Sequence, residues 1–372
     1  MVTAVAAQHV EEAIQSVDVS AYTVPTDRPE SDGTYQWTKT TLVLVEARAG
    51  DECGIGYSYA DVATATLVRD KLADAVVGLD AFRVPEAWHK MIHAIRNLGR
   101  PGIASMAISA VDSALWDLKA KLLAVPLVTL LGAARDAAPI YGSGGFTSYS
   151  EEELCRQLGG WAEQGIEQVK MKIGRDAAAD RRRVAAVRKA IGEQVEIYVD
   201  ANGAYSRKQA LAQAEAFADF RVSWFEEPVS SDDLDGLRLI RDRAPSGMDI
   251  AAGEYGYDHF YFRRMLQAGA VDVLQVDGTR AGGITGFLQG AALAAAFGLD
   301  ISAHCAPSLH VHPCCTLANL RPIEYFHDHE RIEHMLFDGV LLPTGGELHP
   351  DLSRPGLGLA FKHADAKKFA VG

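Results

Sequence analysis

Ionisable residues recur at the ends of short apolar runs in the second half of the chain, and their types are those of metal and acid–base chemistry. Asp200, Glu226 and Glu254 come from three consecutive runs. In one dry pocket their charges would repel one another unless a cation lay between them. Carboxylate oxygens favour Mg²⁺ over softer metals, so the trio predicts a magnesium site. The alternative is that each acid caps a helix or pairs with an arginine.

Lys170, Lys172, Asp277 and His304 supply candidate acids and bases. Both lysines lie on one side of a strand, because side chains alternate with period two. Mutual repulsion and burial would lower the pKa of such a lysine until it can act as a base. An aspartate bonded to an imidazole fixes its tautomer, so Asp277 and His304 predict a catalytic dyad. The alternatives are an exposed edge strand and a histidine that serves only packing.

The elements that must position these residues are short β-like runs alternating with helical segments. The runs are Pro139–Ser143, Gln168–Ile173, Val195–Asp200, Val222–Glu226, Asp249–Ala252, Val273–Gln275, Asp300–Ala303 and Pro322–Tyr325. Eight such units predict an α/β fold with a closed (β/α) barrel, whose active site lies at the C-terminal strand ends. An open doubly wound sheet is the rival, but the chain lacks its early glycine-rich phosphate turn.

The first third of the chain has a different, α+β pattern. Trp37–Arg48 and Cys53–Tyr57 predict a hairpin, and Tyr22–Tyr35, with its prolines and glycine, predicts a loop. An apolar stripe from Ser105 predicts a helix that Pro126 ends. We therefore predict an N-terminal domain over 1–135, a barrel over 136–340 and a C-terminal segment over 341–372 that packs back on the first domain.

Composition limits the function classes. The chain has 372 residues, 48% of them hydrophobic, and 36 Lys and Arg against 49 Asp and Glu give a net charge of −13. That charge opposes binding to nucleic acid or to an anionic membrane, and a small ligand is expected. Five cysteines and a start, Met1–Val10, without an export signal predict a cytoplasmic protein. A zinc site at His310, His312, Cys314 and Cys315 is disfavoured, because zinc ligand pairs are separated by a longer loop.

These motifs together resemble the mandelate racemase subgroup of the enolase superfamily. The matching segments are Val169–Gly174 (VKMKIG), Val199–Gly203 (VDANG), Trp224–Pro228 (WFEEP), Gly253–Glu254, Asp277 with Gly282–Thr285 (GGIT), His304, Ile108–Asp117 and Leu130–Gly132. The likeness spans nearly the whole chain. It implies a modified (β/α) barrel with an N-terminal α+β capping domain that the C-terminal tail completes.

The resemblance also implies roles for the site residues. One Mg²⁺ per active site would be held by Asp200, Glu226 and Glu254, and a base would remove the proton next to a substrate carboxylate, giving an enediolate that the metal stabilises. Lys172 matches the base on one face, His304 with Asp277 the catalyst on the other, and Lys170 a cationic stabiliser. Glu324 matches a protonated residue bonded to the substrate carboxylate. Arg280 and Glu227 would lie behind the ligands, and Asn202 beside them.

Having two opposed catalysts allows two outcomes. Dehydration of a sugar acid (an aldonate or aldarate) to a 2-keto-3-deoxy acid is favoured, and racemisation or epimerisation is the alternative. The candidate substrate contacts are Asn202, Arg28, Tyr22 and Tyr57, and the resemblance implies that the segment of Tyr59 also faces the pocket. Arg28 would meet a second carboxylate of a diacid. The alternatives are a surface charge for Arg28 and a core role for Tyr57. Two rival classes are a Schiff-base lysine enzyme and a non-catalytic binding protein. Relatives of this kind are commonly homo-oligomers, so one is expected.

Overall fold

The computed structural model describes residues 11–371. Met1–Val10, on which the prediction about export rests, lies outside them. Within the described range, none of the helices has both the length and the apolar character needed to cross a bilayer.

An antiparallel sheet opens the fold. Its strands are β1 (Ser16–Ser31), β2 (Gln36–Ala49) and β3 (Glu52–Tyr59). The predicted hairpin is confirmed, because β2 and β3 pair from Leu42↔Tyr59 to Ala49↔Glu52, with Gly50 turning the chain at φ +55°. This positive φ favours glycine.

The predicted loop over Tyr22–Tyr35 is wrong for most of its length. β1 stays paired with β2 through Pro25 and resumes at Glu30 after a register shift. Val24 is fully buried, so apolar packing holds this part of the strand in the sheet. Beyond Tyr22 the outer side of β1 has no strand partner in the described chain, and such an edge tolerates a proline, which has no N–H to donate.

Helices cover one face of this sheet. They are α1 (Ala63–Leu67), a π-helical turn (Val68–Leu72), α2 (Ala73–Val76), α3 (Val84–Ala94), α4 (Ile103–Leu122) and α5 (Leu127–Leu131). The helix predicted from Ser105 is α4. It packs closely on β3 at two glycines: a Cβ at Gly54 or Gly56 would lie 2.2 Å from Ala114 O or 2.3 Å from Ala110 O. Larger residues at these positions would push the helix off the sheet.

Eight parallel strands follow, each succeeded by a helix. The strands are β4 (Ala138–Gly144), β5 (Gln168–Lys172), β6 (Glu196–Asp200), β7 (Val222–Glu226), β8 (Asp249–Ala252), β9 (Val273–Val276), β10 (Asp300–Ala303) and β11 (Ile323–Phe326). The helices are α6 (Glu151–Glu163), α7 (Ala177–Ile191), α8 (Arg207–Ala218), α9 (Leu234–Arg241), α10 (His259–Gln267), α11 (Gly283–Ala296), α12 (Pro307–Cys314) and α13 (His327–Leu336). The predicted strands agree with these bounds to within two residues.

The strands curl into a barrel. Their order is β10-β9-β8-β7-β6-β5-β4-β11, so the last strand pairs with the first and the open-sheet rival is excluded. The seam between β10 and β11 has no full ladder. An isolated bridge between Ile301 and Leu320 and a hydrogen bond from Ser302 Oγ to Pro322 O (2.6 Å) join its two sides. The fold is thus the modified barrel that the resemblance implied.

The tail returns to both parts of the fold. Its elements are β12 (Phe337–Asp338), β13 (Glu347–Leu348), β14 (Ala360–Phe361), α14 (His363–Ala366), a 3₁₀ turn (Lys367–Phe369) and β15 (Ala370–Val371). β15 pairs with β1, and β13 pairs with β4. Leu357 and Leu359 share an apolar cluster with Tyr22 and Leu42 of the first sheet. The exact domain boundaries stay a prediction.

Candidate active site

A cavity of about 450 Å³ opens at the C-terminal ends of the barrel strands, below the first sheet. The barrel lines it with Lys172, Asn202, Glu254, Tyr255, Arg280, His304, Cys305, Phe326 and His329, and the first sheet adds chiefly Asp32, Trp37, Lys39, Thr40 and Tyr59. A second hollow of about 510 Å³, lined by Tyr257 and Arg264 among others, lies beside Tyr255 but holds none of the predicted ionisable residues. The chemistry therefore belongs to the first cavity.

The acidic trio is brought together as predicted. Asp200 and Glu226 end β6 and β7, Glu254 follows β8, and each offers an oxygen within 4.8 Å of the other two. All three are buried, and Glu254 Oε2 has no hydrogen-bond partner in residues 11–371. Burial, with the neighbouring carboxylates, raises the pKa of Glu226 to about 8 although Lys170 opposes it. Three crowded hard oxygens, together with a buried Glu254 oxygen that accepts no hydrogen bond, are the kind of donor set that would hold Mg²⁺.

The two lysines reach into this acidic cluster. Lys170 Nζ lies 2.6 Å from Glu226 Oε1 and 2.8 Å from Glu324 Oε1, and Lys172 Nζ lies 2.5 Å from Asp200 Oδ2. Burial would lower the pKa of both lysines, but these carboxylates outweigh it and raise it. The predicted lowering is therefore wrong for the metal-free chain, because barrel closure surrounds each ammonium with acids. A cation on Asp200 would compete with Lys172 for that carboxylate.

His304 and Asp277 form the predicted pair. Asp277 Oδ2 lies 2.8 Å from His304 Nδ1, and its Oδ1 accepts hydrogen bonds from the N–H and the hydroxyl of Thr279, both at 2.7 Å. Burial would raise the pKa of Asp277, but the bond to His304 lowers it strongly. Burial would lower the pKa of His304, but Glu254, Glu324 and Asp277 raise it overall. The imidazole is held with Nε2 toward the cavity.

Glu324 lies between Lys170 and His304. Its Oε1 accepts a hydrogen bond from Ser143 Oγ (2.6 Å), and its Oε2 accepts one from Cys305 N (3.1 Å). Burial would raise the pKa of Glu324, but Lys170 and His304 lower it well below its usual range. The expectation of a protonated Glu324 is therefore corrected to a carboxylate, because donors surround both oxygens.

The residues predicted beside the ligands lie close to them. Asn202 lines the cavity, with φ +45° and a buried Oδ1 that lacks a partner in the described chain. Glu227 is buried behind the trio, and burial raises its pKa well above the usual range. Arg280 Nη1 donates to Glu254 O (3.1 Å), and Arg280 Nε lies 3.5 Å from Asp277 Oδ2. Arg280 therefore ties Glu254 to the His304 partner.

Three predicted substrate contacts lie elsewhere. Arg28 forms an ion pair with Glu153 at the surface, because the irregular part of β1 turns it outward. Tyr22 packs on Phe361 of the tail, with ring centroids 5.0 Å apart. Tyr57 is fully buried and donates to Glu333 at 2.6 Å. None of the three lines the cavity, since the tail and α13 cover the sheet face that carries the two tyrosines.

Several cavity residues were missed. His329 stacks on Tyr59 with ring centroids 3.4 Å apart, and Phe326 lies 5.9 Å from Lys172 Nζ. Phe326 ends β11, two residues after Glu324, so the period of the strand could have indicated it. The places of His329, Trp37, Lys39 and Thr40 at the cavity depend on how the first sheet packs on the barrel, and no local sequence pattern indicates that packing.

The histidines of the disfavoured zinc site serve a structural role in the core. His310 Nε2 accepts a hydrogen bond from Gly278 N (2.7 Å), and His312 Nδ1 accepts one from Val128 N (3.2 Å). Burial lowers the pKa of His312 to about 4. Both imidazoles, with Cys314, lie in α12 as neutral core groups.

Two family models match the chain. The "Mandelate racemase / muconate lactonizing enzyme, N-terminal domain" covers residues 16–132, and "Enolase C-terminal domain-like" covers residues 152–366. A 3,6-anhydro-alpha-L-galactonate cycloisomerase from Streptomyces coelicolor is 32% identical over 96% of this chain and 100% of its own.

Solved structures agree with the models. A mandelate racemase/muconate lactonizing enzyme-like protein from Rubrobacter xylanophilus has TM-score 0.95 and 54% identity over 96% of this chain and 100% of its own. An L-talarate dehydratase from Polaromonas sp. JS666, complexed with Mg and L-glucarate, has TM-score 0.88 and 31% identity over 97% and 98%. The resemblance noted in the sequence is thereby confirmed, and the chain belongs to the mandelate racemase/muconate lactonizing enzyme family of the enolase superfamily.

Proposed function

We propose that this protein is a Mg²⁺-dependent acid-sugar dehydratase. It would remove the proton next to the carboxylate of a sugar acid and expel the neighbouring hydroxyl, which gives a 2-keto-3-deoxy acid. The observation that carries the proposal is the placing of Lys172 and the His304–Asp277 pair around one cavity, beside the acidic trio. A homo-oligomer in the cytoplasm is part of the proposal; the five free cysteines of the described chain suit a reducing compartment.

Asp200, Glu226 and Glu254 would hold the cation. When bound, Mg²⁺ supplies Lewis-acid stabilisation of the negative charge that develops on the substrate carboxylate. Glu227 would orient this ligand set from behind, and Arg280 would fix Glu254 through its carbonyl group. Lys170, enclosed by carboxylates, adds a permanent positive charge on the same side of the cavity.

Lys172 would act as the base in its neutral form, which is favoured when a cation takes up the Asp200 carboxylate that otherwise holds the ammonium. It extends from the end of β5, whereas His304 follows β10, with β4 and β11 between them on one side and four strands on the other. The two groups can therefore approach one substrate from different sides. Ionisation next to a carboxylate builds a second negative charge, so the cationic surroundings that Lys170 provides favour the proton transfer to Lys172.

His304 would then protonate the leaving hydroxyl. Asp277 accepts from Nδ1, which leaves Nε2 as the atom that gives its proton to the hydroxyl oxygen. The C–O bond breaks with its electron pair going to water, and the enol that remains becomes the keto acid. Glu324, as a carboxylate, would act as a positioning residue: its Oε1 accepts from Ser143 and holds the Lys170 ammonium at 2.8 Å, beside the metal ligands.

Two observations favour dehydration over racemisation. The solved relative with bound Mg and L-glucarate is a dehydratase, and the walls from the first sheet carry hydroxyl, indole and ammonium groups that suit a polyhydroxy acid. The cycloisomerase relative supports a second candidate, the isomerisation of an anhydro sugar acid, which shares the first proton transfer. Dehydration is preferred because the expulsion of a hydroxyl group needs a general acid, and the His304–Asp277 dyad provides one.

The test is a panel of aldonates and aldarates with Mg²⁺, followed by keto-acid formation and by deuterium uptake from D₂O at the α-carbon. We expect a keto acid from at least one substrate, and its loss in Lys172→Ala and His304→Asn. Unchanged activity in both variants would overturn the roles. Deuterium uptake without a keto acid would favour racemisation, and turnover confined to an anhydro sugar acid added to the panel would favour cycloisomerisation.

A further inference from the structure

A second group of potential metal ligands lies outside the cavity. Asp27, Glu30 and His327 each offer one ligand atom, and these atoms lie within 4.8 Å of one another, the same limit that the catalytic trio meets. Asp27 and Glu30 belong to the irregular part of β1, and His327 begins α13. We propose that these residues form a second cation site, for a divalent transition-metal ion such as Zn²⁺, that links the first sheet to the barrel.

One carboxylate oxygen of Glu30 in this cluster lacks a hydrogen-bond donor. The residue is fully buried, and its Oε2 accepts a hydrogen bond from Trp37 Nε1 at 2.7 Å. Its Oε1 is buried with no hydrogen-bond partner in residues 11–371. Buried carboxylate oxygens are normally paired with a donor or a metal. An ion shared with Asp27 and His327 would satisfy Oε1.

The terminal nitrogens of the arginines around the cluster bind other groups, and of the Arg331 guanidinium only the buried Nε has no partner in residues 11–371. Arg28 pairs with Glu153, and Arg331 donates to Asp328 (2.6 Å) and to the carbonyl oxygen of Pro25 (2.8 Å). In the described range neither Asp27 nor Glu30 has an arginine or lysine within ion-pair distance; Asp27 has only His327 Nε2, at 3.3 Å. A cation is therefore the missing partner for two neighbouring carboxylates.

The ligand types indicate the class of ion. One imidazole nitrogen with two carboxylate oxygens suits Zn²⁺, whereas Mg²⁺ prefers oxygen ligands alone. His327 and Asp27 are partly exposed, with 20% and 43% of their side-chain surface accessible, so an ion can enter and keep water as a further ligand.

The cluster lies next to two residues that line the active-site cavity, so a bound ion would affect the cavity walls. Trp37, bonded to Glu30, and Phe326, which precedes His327, both line the cavity. An ion that joins β1 to α13 would hold these two walls together, so we expect it to stabilise the closed interface between sheet and barrel.

The experiment measures Zn²⁺ content by equilibrium dialysis at saturating Mg²⁺ for the wild type, Asp27→Asn, Glu30→Gln and His327→Ala. The matched control is His363→Ala, since His363 also faces a carboxylate, with Nε2 3.5 Å from Glu46. We expect each cluster variant to bind one equivalent less than the wild type, or to bind it at least about tenfold more weakly, and His363→Ala to match the wild type. With Co²⁺ as probe, a visible absorption band should vanish only in the cluster variants.

Two results would overturn the site. One is an equal Zn²⁺ content in the wild type and in all three cluster variants. The other is an equal loss in His363→Ala. Asp27 lies at the surface, so Asp27→Asn should fold normally and keeps the test decisive if Glu30→Gln is destabilised.

Discussion

Replacing Asp277 by asparagine isolates the orientation of His304 from the rest of the site. Asp277 Oδ1 is committed to the N–H and hydroxyl of Thr279, both at 2.7 Å, and Oδ2 faces His304 Nδ1 at 2.8 Å. An amide must keep its oxygen toward Thr279 and so turn its NH₂ toward Nδ1. Nδ1 can then only accept, and the imidazolium, which needs a proton on both nitrogens, is disfavoured.

The size of the effect follows from the lost acid. A positioned acid or base contributes about 10²–10⁴-fold to a rate, which corresponds to about 3–5 kcal/mol in the activation free energy. Asp277→Asn should therefore slow keto-acid formation by that factor. Removal of the α-proton by Lys172 does not use the dyad, so deuterium uptake at the α-carbon should fall far less.

The assay follows both quantities in D₂O by NMR, at saturating Mg²⁺ and with the best substrate of the panel. Asp180→Asn is the matched control, because Asp180 is also buried and bonded to a backbone N–H, that of Gly174, but lies outside the cavity. Keto-acid formation within about threefold of the wild type would refute the orientation argument. A parallel collapse of deuterium uptake would instead assign the first proton transfer to His304.

Three further predictions concern the metal, a surface pair and the core. Chelation should abolish activity and Mg²⁺ should restore it, and calorimetry should find Mg²⁺ affinity at least about tenfold lower in Asp200→Asn. Arg28→Ala should leave kcat/KM within about twofold for monoacids and diacids alike, because Arg28 pairs with Glu153; a rise in KM for diacids alone would contradict this. Burial raises the pKa of Glu333, which accepts from Tyr57, to about 7, so the folded state holds this proton more tightly. The contribution of Glu333 to the free energy of unfolding should fall by about 3 kcal/mol as pH rises from about 4.5 to 7; in urea titrations, Glu333→Gln should show a pH dependence smaller than that of the wild type by this amount.

The barrel and its acids were predictable because each depends on a local pattern. Val195–Asp200 was predicted and β6 spans Glu196–Asp200, so the carboxylate falls at the strand end in both. A short apolar run that ends in an acid predicts both the strand and the position of the carboxylate at its C-terminal end. Once eight such runs close into a barrel, their ends share one mouth.

The errors come from packing between distant segments. Tyr57 was a candidate substrate contact. The alternation of buried and exposed side chains along β3 does not reveal that Glu333, 276 residues later, accepts a hydrogen bond from its hydroxyl group. The lowered pKa predicted for Lys172 considered its neighbour Lys170 but not how near Asp200 would lie after closure. Pro25 and Pro29 suggested a loop. They are tolerated in the strand because the tail pairs with β1 only as far as Tyr22, which leaves the rest of β1 at the edge of the sheet.

The cavity has a floor from the barrel and walls from the first sheet, encoded more than a hundred residues apart. Trp37, Lys39 and Thr40 line the cavity, whereas the acidic trio, Lys170, Lys172 and His304 all follow residue 169. Substitutions in the N-terminal third can therefore alter which sugar acid is accepted without touching proton transfer.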